Sequence, residues 1–182
     1  MIELGGTDTA RSRLTRQSSM EVIMPINKLT ELLDSQSIKY TIITHSVAYT
    51  AQGIAALTHI PGQELAKTVI VNVDDALAMA VLPASSQVDL AALRAATGAK
   101  SITLAKETDF MHRFPGCETG AMPPFGNLYG MQVFVEESLT KDKEIAFNAG
   151  SHRELMRLAY EDFARVVKPK ILQFGLPRMR AA

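Results

Sequence analysis

Three short segments of the chain contain residue types that could do chemistry. The first is AKTVIV at 66–71, in which Lys67 opens a strand that is otherwise apolar or β-branched. A lysine beside a buried strand either extends its ammonium to solvent or places the charge in a pocket. The second is GAMPPFG at 120–126, where two prolines stiffen a loop and two glycines allow close approach of the backbone. The third is FNAGSH at 147–152, where small residues and His152 follow the end of a strand.

The second segment indicates which chemistry to expect. Backbone N–H groups of a rigid loop can hold an ester carbonyl and the oxyanion that develops from it. We expect the loop at 120–126 to be exposed, so that a substitution there hardly changes the melting temperature. Taken singly, each segment also has a structural explanation: a lysine that reaches solvent, a tight connection and a surface histidine. The three segments in this order are a much more specific indication of function than any one of them alone.

Several common catalytic signatures are absent from the sequence. It contains no GxGxxG, P-loop, HExxH, GxSxG or CxxC motif, which disfavours dinucleotide redox chemistry and nucleotide-driven phosphoryl transfer. The four histidines are scattered and no two are four residues apart, so we expect no metal site and no cofactor. Cys117 precedes Gly120 by three residues, but no neighbouring base is evident that would activate its thiol.

Composition limits the class of protein. A chain of 182 residues with 47% hydrophobic and 21% charged residues is typical of one globular domain. Nineteen basic residues balance nineteen acidic ones, so no global field attracts a polyanion, although contact with one end of a nucleic acid stays open. The single cysteine excludes an intramolecular disulfide. Since no apolar segment is long enough to span a bilayer, we expect a cytoplasmic protein that does not bind membranes.

Helices and strands alternate along the chain around these segments. Apolar spacing and capping residues predict helices at 26–36, 50–58, 89–97, 106–112 and 160–167. Short apolar or β-branched runs predict strands at 40–44, 68–73, 76–82, 101–104, 132–135, 144–148 and 155–158. Because hairpins interleave with helices and no βαβ repeat dominates, we predict an α/β fold of the α+β type, with a mixed, partly antiparallel central sheet surrounded by helices. Regular structure should end at Lys168 and Pro169, which gives an N-terminal extension at 1–24, a domain at 25–168 and a C-terminal tail at 169–182.

The three segments together resemble the YbaK and prolyl-tRNA-synthetase-associated family, which includes the editing insertion of bacterial prolyl-tRNA synthetases. The resemblance covers residues 25–168 and rests on AKTVIV, on VLPA at 81–84 with VDL at 88–90, on GAMPPFG, and on FNAG with His152. His45 followed by Thr50 is similar to the family's opening segment. The resemblance implies metal-independent hydrolysis of the ester between a wrong amino acid and the terminal adenosine of tRNA, of the trans-editing type associated with tRNA(Pro).

The resemblance also implies roles for individual residues. Lys67 matches the family's invariant lysine, which orients the 3′ end of the substrate, and Gly120 and Pro124 match a GxxxP loop that holds the aminoacyl group. His152 matches a position where several members place a histidine near the amino-acid pocket. The predicted catalytic residues are therefore Lys67, Gly120 and His152. The residues predicted to bind substrate are His45, Thr50, Ala121, Met122, Pro123, Pro124, Gly150 and Ser151.

The implied partner is the acceptor end of an aminoacyl-tRNA, and an aminoacyl-tRNA synthetase is a further candidate partner. Editing requires a site separate from the one in which the synthetase selects its amino acid. One methylene contributes only about 1–3 kcal/mol to binding in a synthetase pocket, which is too little to exclude a smaller amino acid. Two alternatives stay open: a non-catalytic module that binds a tRNA end or a synthetase, and a hydrolase of another small ester or nucleotide. The sequence leaves open the amino acid removed, the attacking nucleophile and the oligomeric state.

Overall fold

A computed structural model describes residues 25–177, which contain five α-helices, three short 3₁₀ helices and ten strands. The predicted extension at 1–24 lies outside the described residues. The helices are α1 (Pro25–Ser35), α2 (Ala51–Thr58), α3 (Leu90–Thr97), α4 (Glu107–Phe110) and α5 (Tyr160–Val167). The strands are β1 (Tyr40–Thr44), β2 (Ala66–Val73), β3 (Ala76–Pro83), β4 (Ser86–Val88), β5 (Ile102–Leu104), β6 (Gln132–Glu136), β7 (Glu144–Asn148), β8 (Glu154–Ala159), β9 (Lys170–Leu172) and β10 (Gly175–Pro177).

A five-stranded sheet in the order β5-β2-β3-β6-β9 forms the centre of the fold. β2 pairs antiparallel with β3 over eight residue pairs, whereas β6 pairs parallel with both β3 and β9. A second, antiparallel sheet has the order β1-β8-β7, and a short pair joins β10 to β4. A parallel bridge between Leu65 and Ala146 connects the first two sheets. The predicted mixed, partly antiparallel sheet with helices is therefore confirmed, whereas its division into separate sheets was not predicted.

Local sequence signals explain where most elements begin and end. The Thr50 hydroxyl accepts the Gly53 N–H at 3.1 Å, which makes Thr50 the N-cap of α2. Asp89 caps α3 by accepting the N–H groups of Ala91 and Ala92, and Gly98 ends that helix with a φ of 72°. The predicted helix at 106–112 is shorter, because a 3₁₀ turn at Met111–Arg113 follows α4.

The C-terminal part of the chain differs from the prediction. The expectation that regular structure ends at Lys168 and Pro169 is wrong, because β9 and β10 follow in the segment that we predicted to be a tail. Lys168 does end α5, with a φ of 51°. The chain then runs along β6 and crosses to β4, two strands that lie far back in the sequence. Three-residue strands carry too short a pattern to be recognised without their partners.

Apolar side chains cover both faces of the central sheet. On one face Met79 and Val135 pack in a large cluster with Phe163 of α5, and on the other Leu82 packs in a smaller cluster with Phe174. This two-sided burial explains why β2 and β3 are nearly continuous apolar runs rather than alternating ones. No helix within residues 25–177 is both long and apolar enough to cross a membrane.

Candidate active site

A cavity of about 240 Å³ opens at the N-terminal end of β2, between the two larger sheets. It brings together Lys67, Gly120 and His152, the three residues predicted to be catalytic, although they come from segments far apart in the sequence. Its volume is below the roughly 300–1,000 Å³ of pockets that enclose a drug-sized ligand, so it suits a group the size of an amino acid. The residues that line it are Tyr49, Ile54, Leu65, Ala66, Lys67, Thr68, Ala84, Gly120, Asn148 and His152.

Lys67 provides a positive charge in the wall of this cavity. It is the second residue of β2 and is half-buried. Its Nζ donates a hydrogen bond to the backbone carbonyl of Ser86, the first residue of β4. The ammonium is thus held beside the cavity. Of the two positions that the sequence left open for this lysine, in solvent or in a pocket, the structure has the second. A held ammonium acts as a fixed point charge for oxygen atoms of a ligand.

His152 is buried, with 9% of its surface exposed, and its hydrogen bonds define its tautomer. Its Nε2 lies 2.8 Å from the backbone carbonyl of Thr119, and its backbone N–H donates to the Glu118 carboxylate at 2.6 Å. Because a carbonyl oxygen only accepts, Nε2 must carry the hydrogen, and in the neutral imidazole Nδ1 is then an acceptor. Nδ1 is buried and has no hydrogen-bond partner among residues 25–177.

Gly120 presents backbone rather than a side chain to the cavity. It is exposed, its φ is 84°, and a Cβ at this position would lie 3.7 Å from Cε1 of His152. Its N–H has no acceptor within the described part of the chain, whereas the next N–H, that of Ala121, donates to the Glu118 carbonyl. The amide that an incoming carbonyl could meet in this turn is therefore that of Gly120.

Two further cavity residues were not identified as site residues from the sequence. Asn148 ends β7, and its buried Oδ1 has no hydrogen-bond partner within residues 25–177. Tyr49 is 77% exposed at the edge of the cavity, with its ring 4.9 Å from that of His152. The alternation of β7 could have pointed to Asn148, because Phe147 and Ala149 belong to the core and Asn148 must face the other side. No sequence signal distinguishes Tyr49 from other surface tyrosines.

None of the residues predicted to bind substrate lines the cavity. Thr50 is occupied as the α2 cap, and His45 Nδ1 lies 2.6 Å from the Ser46 carbonyl. Gly150 ties the Gly120 turn to the second sheet, since its N–H donates to Ala121 and its carbonyl accepts from Glu118. Ser151 Oγ donates to Glu154 at 3.2 Å. The contacts of these residues with a substrate stay a prediction.

The expectation of an exposed loop at 120–126 is wrong for all of it except Gly120. The residues at 121–126 are buried, which places Ala121, Met122, Pro123 and Pro124 in the protein interior. Phe125 packs against Phe147 and Phe163 with ring centroids 5.5 Å apart in each pair. A Cβ on Gly126 would lie 2.5 Å from the Met131 carbonyl. This glycine therefore lets the backbone pack closely within the core rather than against a ligand. Tertiary packing, which local composition does not report, buries this segment.

Cys117 is a core residue. It is buried in the large apolar cluster and does not line the cavity. Burial of the thiol, only partly offset by the neighbouring Tyr129, raises the pKa of Cys117 to about 11. Since the thiolate is the reactive form, this environment opposes nucleophilic chemistry. Within the described residues, no group of three or more His, Cys, Asp or Glu side chains could hold a metal ion.

This chain is similar to one known protein family, and to one characterised protein, over most of its length. The profile of the family described as the aminoacyl-tRNA editing domain matches residues 45–166. The multifunctional Ser/Thr-tRNA deacylase ProXp-y of Escherichia coli strain K12 is 24% identical over 173 residues, which cover 92% of this chain and 97% of that protein.

Two crystal structures share the fold. A candidate trans-editing enzyme for prolyl-tRNA synthetase superimposes with a TM-score of 0.70 at 14% identity, covering 84% of this chain and 97% of that one. A hypothetical protein superimposes with a TM-score of 0.73 at 16% identity, covering 82% and 99% of the two chains. At these identities the likeness concerns the fold alone.

Proposed function

This chain belongs to the aminoacyl-tRNA editing domain family, the deacylase family of YbaK type that its sequence resembles, and we propose that it edits mischarged tRNA in trans. The proposed reaction is hydrolysis of the ester between a wrong amino acid and the terminal adenosine, in the cavity at Lys67, Gly120, Asn148 and His152. The proposed partner is the acceptor end of tRNA, with a synthetase as a further partner. We also propose a cytoplasmic location, because this reaction acts on tRNA.

One observation carries the proposal: the polar groups of the cavity complement an aminoacyl ester. The Gly120 N–H is a donor for the ester carbonyl, and Lys67 is a cation for the oxygen atoms of the terminal ribose and phosphate. His152 and Asn148 also line the cavity, and their Nδ1 and Oδ1 atoms, which are buried and have no partner among the described residues, are the acceptors that we propose for the ammonium of the amino acid. Buried acceptors without partners are costly, so a ligand that satisfies them binds selectively.

The proposed mechanism relies on positioning. Lys67 orients the 3′ end, the Gly120 N–H stabilises the oxyanion as water attacks the carbonyl, and the free ribose hydroxyl helps to place that water. An aminoacyl ester is already activated, so orientation and oxyanion stabilisation can suffice without a carboxylate dyad or a metal ion. The exposed ring of Tyr49 offers a face for the terminal base to stack on.

The size and polarity of the cavity favour a small amino acid with a hydrogen-bonding side chain. A hydroxyl group would give the two acceptors a second donor, which supports serine and threonine as substrates, in accordance with the name of the E. coli relative. We propose tRNA(Pro) as a carrier because the sequence resembles the prolyl-tRNA-synthetase-associated family.

The decisive experiment is a panel of deacylation assays. tRNA(Pro) and tRNA(Thr), each charged with alanine, serine, threonine, cysteine or the cognate amino acid, are incubated with the protein, and simple aminoacyl esters serve as controls. We expect hydrolysis of mischarged tRNA and protection of the correctly charged form. Binding without turnover would indicate the non-catalytic module, and equal turnover of simple esters would indicate a general esterase.

Lys67→Ala tests the assignment of the site. The variant should stay folded, because the β2–β3 ladder does not depend on this side chain, and it should deacylate at least about tenfold more slowly, equivalent to about 1.4 kcal/mol. Lys28→Ala, which removes an exposed lysine from α1, is the matched control and should keep full activity. Full activity in a folded Lys67→Ala protein would refute the assignment.

A further inference from the structure

The C-terminal strap, residues 173–177, is connected to Lys67 through β4. The Lys67 ammonium donates to the carbonyl of Ser86, and Ser86 pairs with Pro177 in the two-stranded sheet of β4 and β10. β4 has only three residues, and β10 is the strand that pairs with it in that sheet. The carbonyl that accepts from Lys67 therefore lies in a strand that pairs with the strap.

The strap is itself fixed by Glu136, a buried carboxylate at the end of β6. Glu136 is 8% exposed, and its Oε2 accepts the N–H groups of Phe174 at 2.6 Å and Gly175 at 2.5 Å. The Phe174 side chain is buried in the smaller core cluster, and its carbonyl accepts the N–H of Asp89 at 2.7 Å. Backbone N–H groups bound to a charged carboxylate make stronger hydrogen bonds than neutral pairs, so this anchor is rigid.

Gly175 shows how closely the two partners approach each other. A Cβ at this position would lie 3.0 Å from Cδ and 3.1 Å from Oε2 of Glu136, which is tighter than ordinary van der Waals contact. Only glycine lets the backbone reach the carboxylate at this distance without displacing it. Glu136 and Gly175 are therefore both needed for this contact between the carboxylate and the strap backbone.

We propose that Glu136 is a positioning residue for the deacylation site: it anchors the C-terminal strap, the strap holds β4, and the Ser86 carbonyl holds the Lys67 ammonium in place. This inference rests on the proposed function, because it assumes that Lys67 acts in deacylation. Catalysis is sensitive to such remote support, since displacement of a catalytic group by about 1 Å can cost about a hundredfold in rate.

The test is a double-mutant cycle on deacylation of mischarged tRNA by the full-length protein. Glu136→Ala should lower kcat/KM by about tenfold or more, and Glu136→Gln, which keeps an acceptor oxygen, should restore most of it. In a Lys67→Ala background the same Glu136→Ala change should have less than about a twofold effect, because the group that it positions is gone. A purely stabilising role of Glu136 would not produce this loss of additivity.

Glu161→Ala is the matched control. Glu161 is an exposed glutamate on α5 that makes no hydrogen bond or ion pair within residues 25–177, so its removal should leave kcat/KM unchanged. If Glu136→Ala does not fold, Gly175→Ala perturbs the same contact from the other side and should behave in the same way in the cycle.

The outcomes separate the two proposals. Equal fractional losses from Glu136→Ala with and without Lys67, or no loss at all, would overturn the positioning role and leave the proposed function intact. Full activity of Lys67→Ala alone would overturn the role of Lys67 in deacylation, and the positioning role with it.

Discussion

Gly120→Val perturbs the point where backbone geometry and proposed chemistry meet. The residue has a φ of 84°, which is unfavourable for a β-branched side chain. A Cβ added at this position would lie 3.7 Å from Cε1 of His152. The methyl groups of valine extend beyond that Cβ, so they occupy space beside the imidazole or in the cavity. Both the backbone and the space available to the aminoacyl group are therefore disturbed.

The substitution should lower both the thermal stability of the protein and its rate of deacylation. Strain from a positive φ costs about 2 kcal/mol, which lowers the melting temperature of a chain of this size by about 4–8 °C. This corrects the expectation from the sequence that a substitution in this loop leaves the melting temperature nearly unchanged. Deacylation should fall by about a hundredfold or more, as for the loss of one oxyanion-hole donor.

Gly130→Val separates these two effects. Gly130 is also exposed, its φ is 66°, it does not line the cavity, and a Cβ there would meet nothing within 4 Å. Thermal unfolding and kcat/KM are measured for both variants. Both should lose similar stability, but only Gly120→Val should lose activity. Equal activity in the two variants would refute the argument that Gly120 faces the substrate.

Three further predictions concern the thiol, metal ions and the edge of the cavity. With the pKa of Cys117 raised to about 11, only about one thiol in a thousand is ionised at pH 8, so iodoacetamide should react slowly with the folded protein and faster as the pH rises toward 11. Cys117→Ser should keep most deacylation activity, and an inactive folded variant would point to a thiol nucleophile. Prolonged dialysis against EDTA should not change the rate, whereas a loss restored by zinc would contradict the proposed mechanism. Tyr49→Ala should raise KM for tRNA several-fold with little change in kcat, and Tyr49→Phe should not; an unchanged KM in Tyr49→Ala would exclude base stacking.

The sequence by itself determined the elements that depend on neighbouring residues. Asp89 and Gly98 cap α3 through contacts within a few residues, and the turn at 74–75 joins two strands that pair with each other directly. Periodicity and capping are local, so the chain reveals them without its fold. The three segments with Lys67, Gly120 and His152 were also recognisable, because unusual residue types interrupt these local patterns.

Only the tertiary structure decided which residues of those segments reach the cavity. Gly120 is exposed while Pro124 is buried, although both belong to a single motif. The segment after α5 likewise has no signal of its own, because β9 and β10 exist through pairing with β6 and β4. Burial and strand pairing depend on partners distant in sequence, and the free energy that fixes them comes from contacts that no short segment contains.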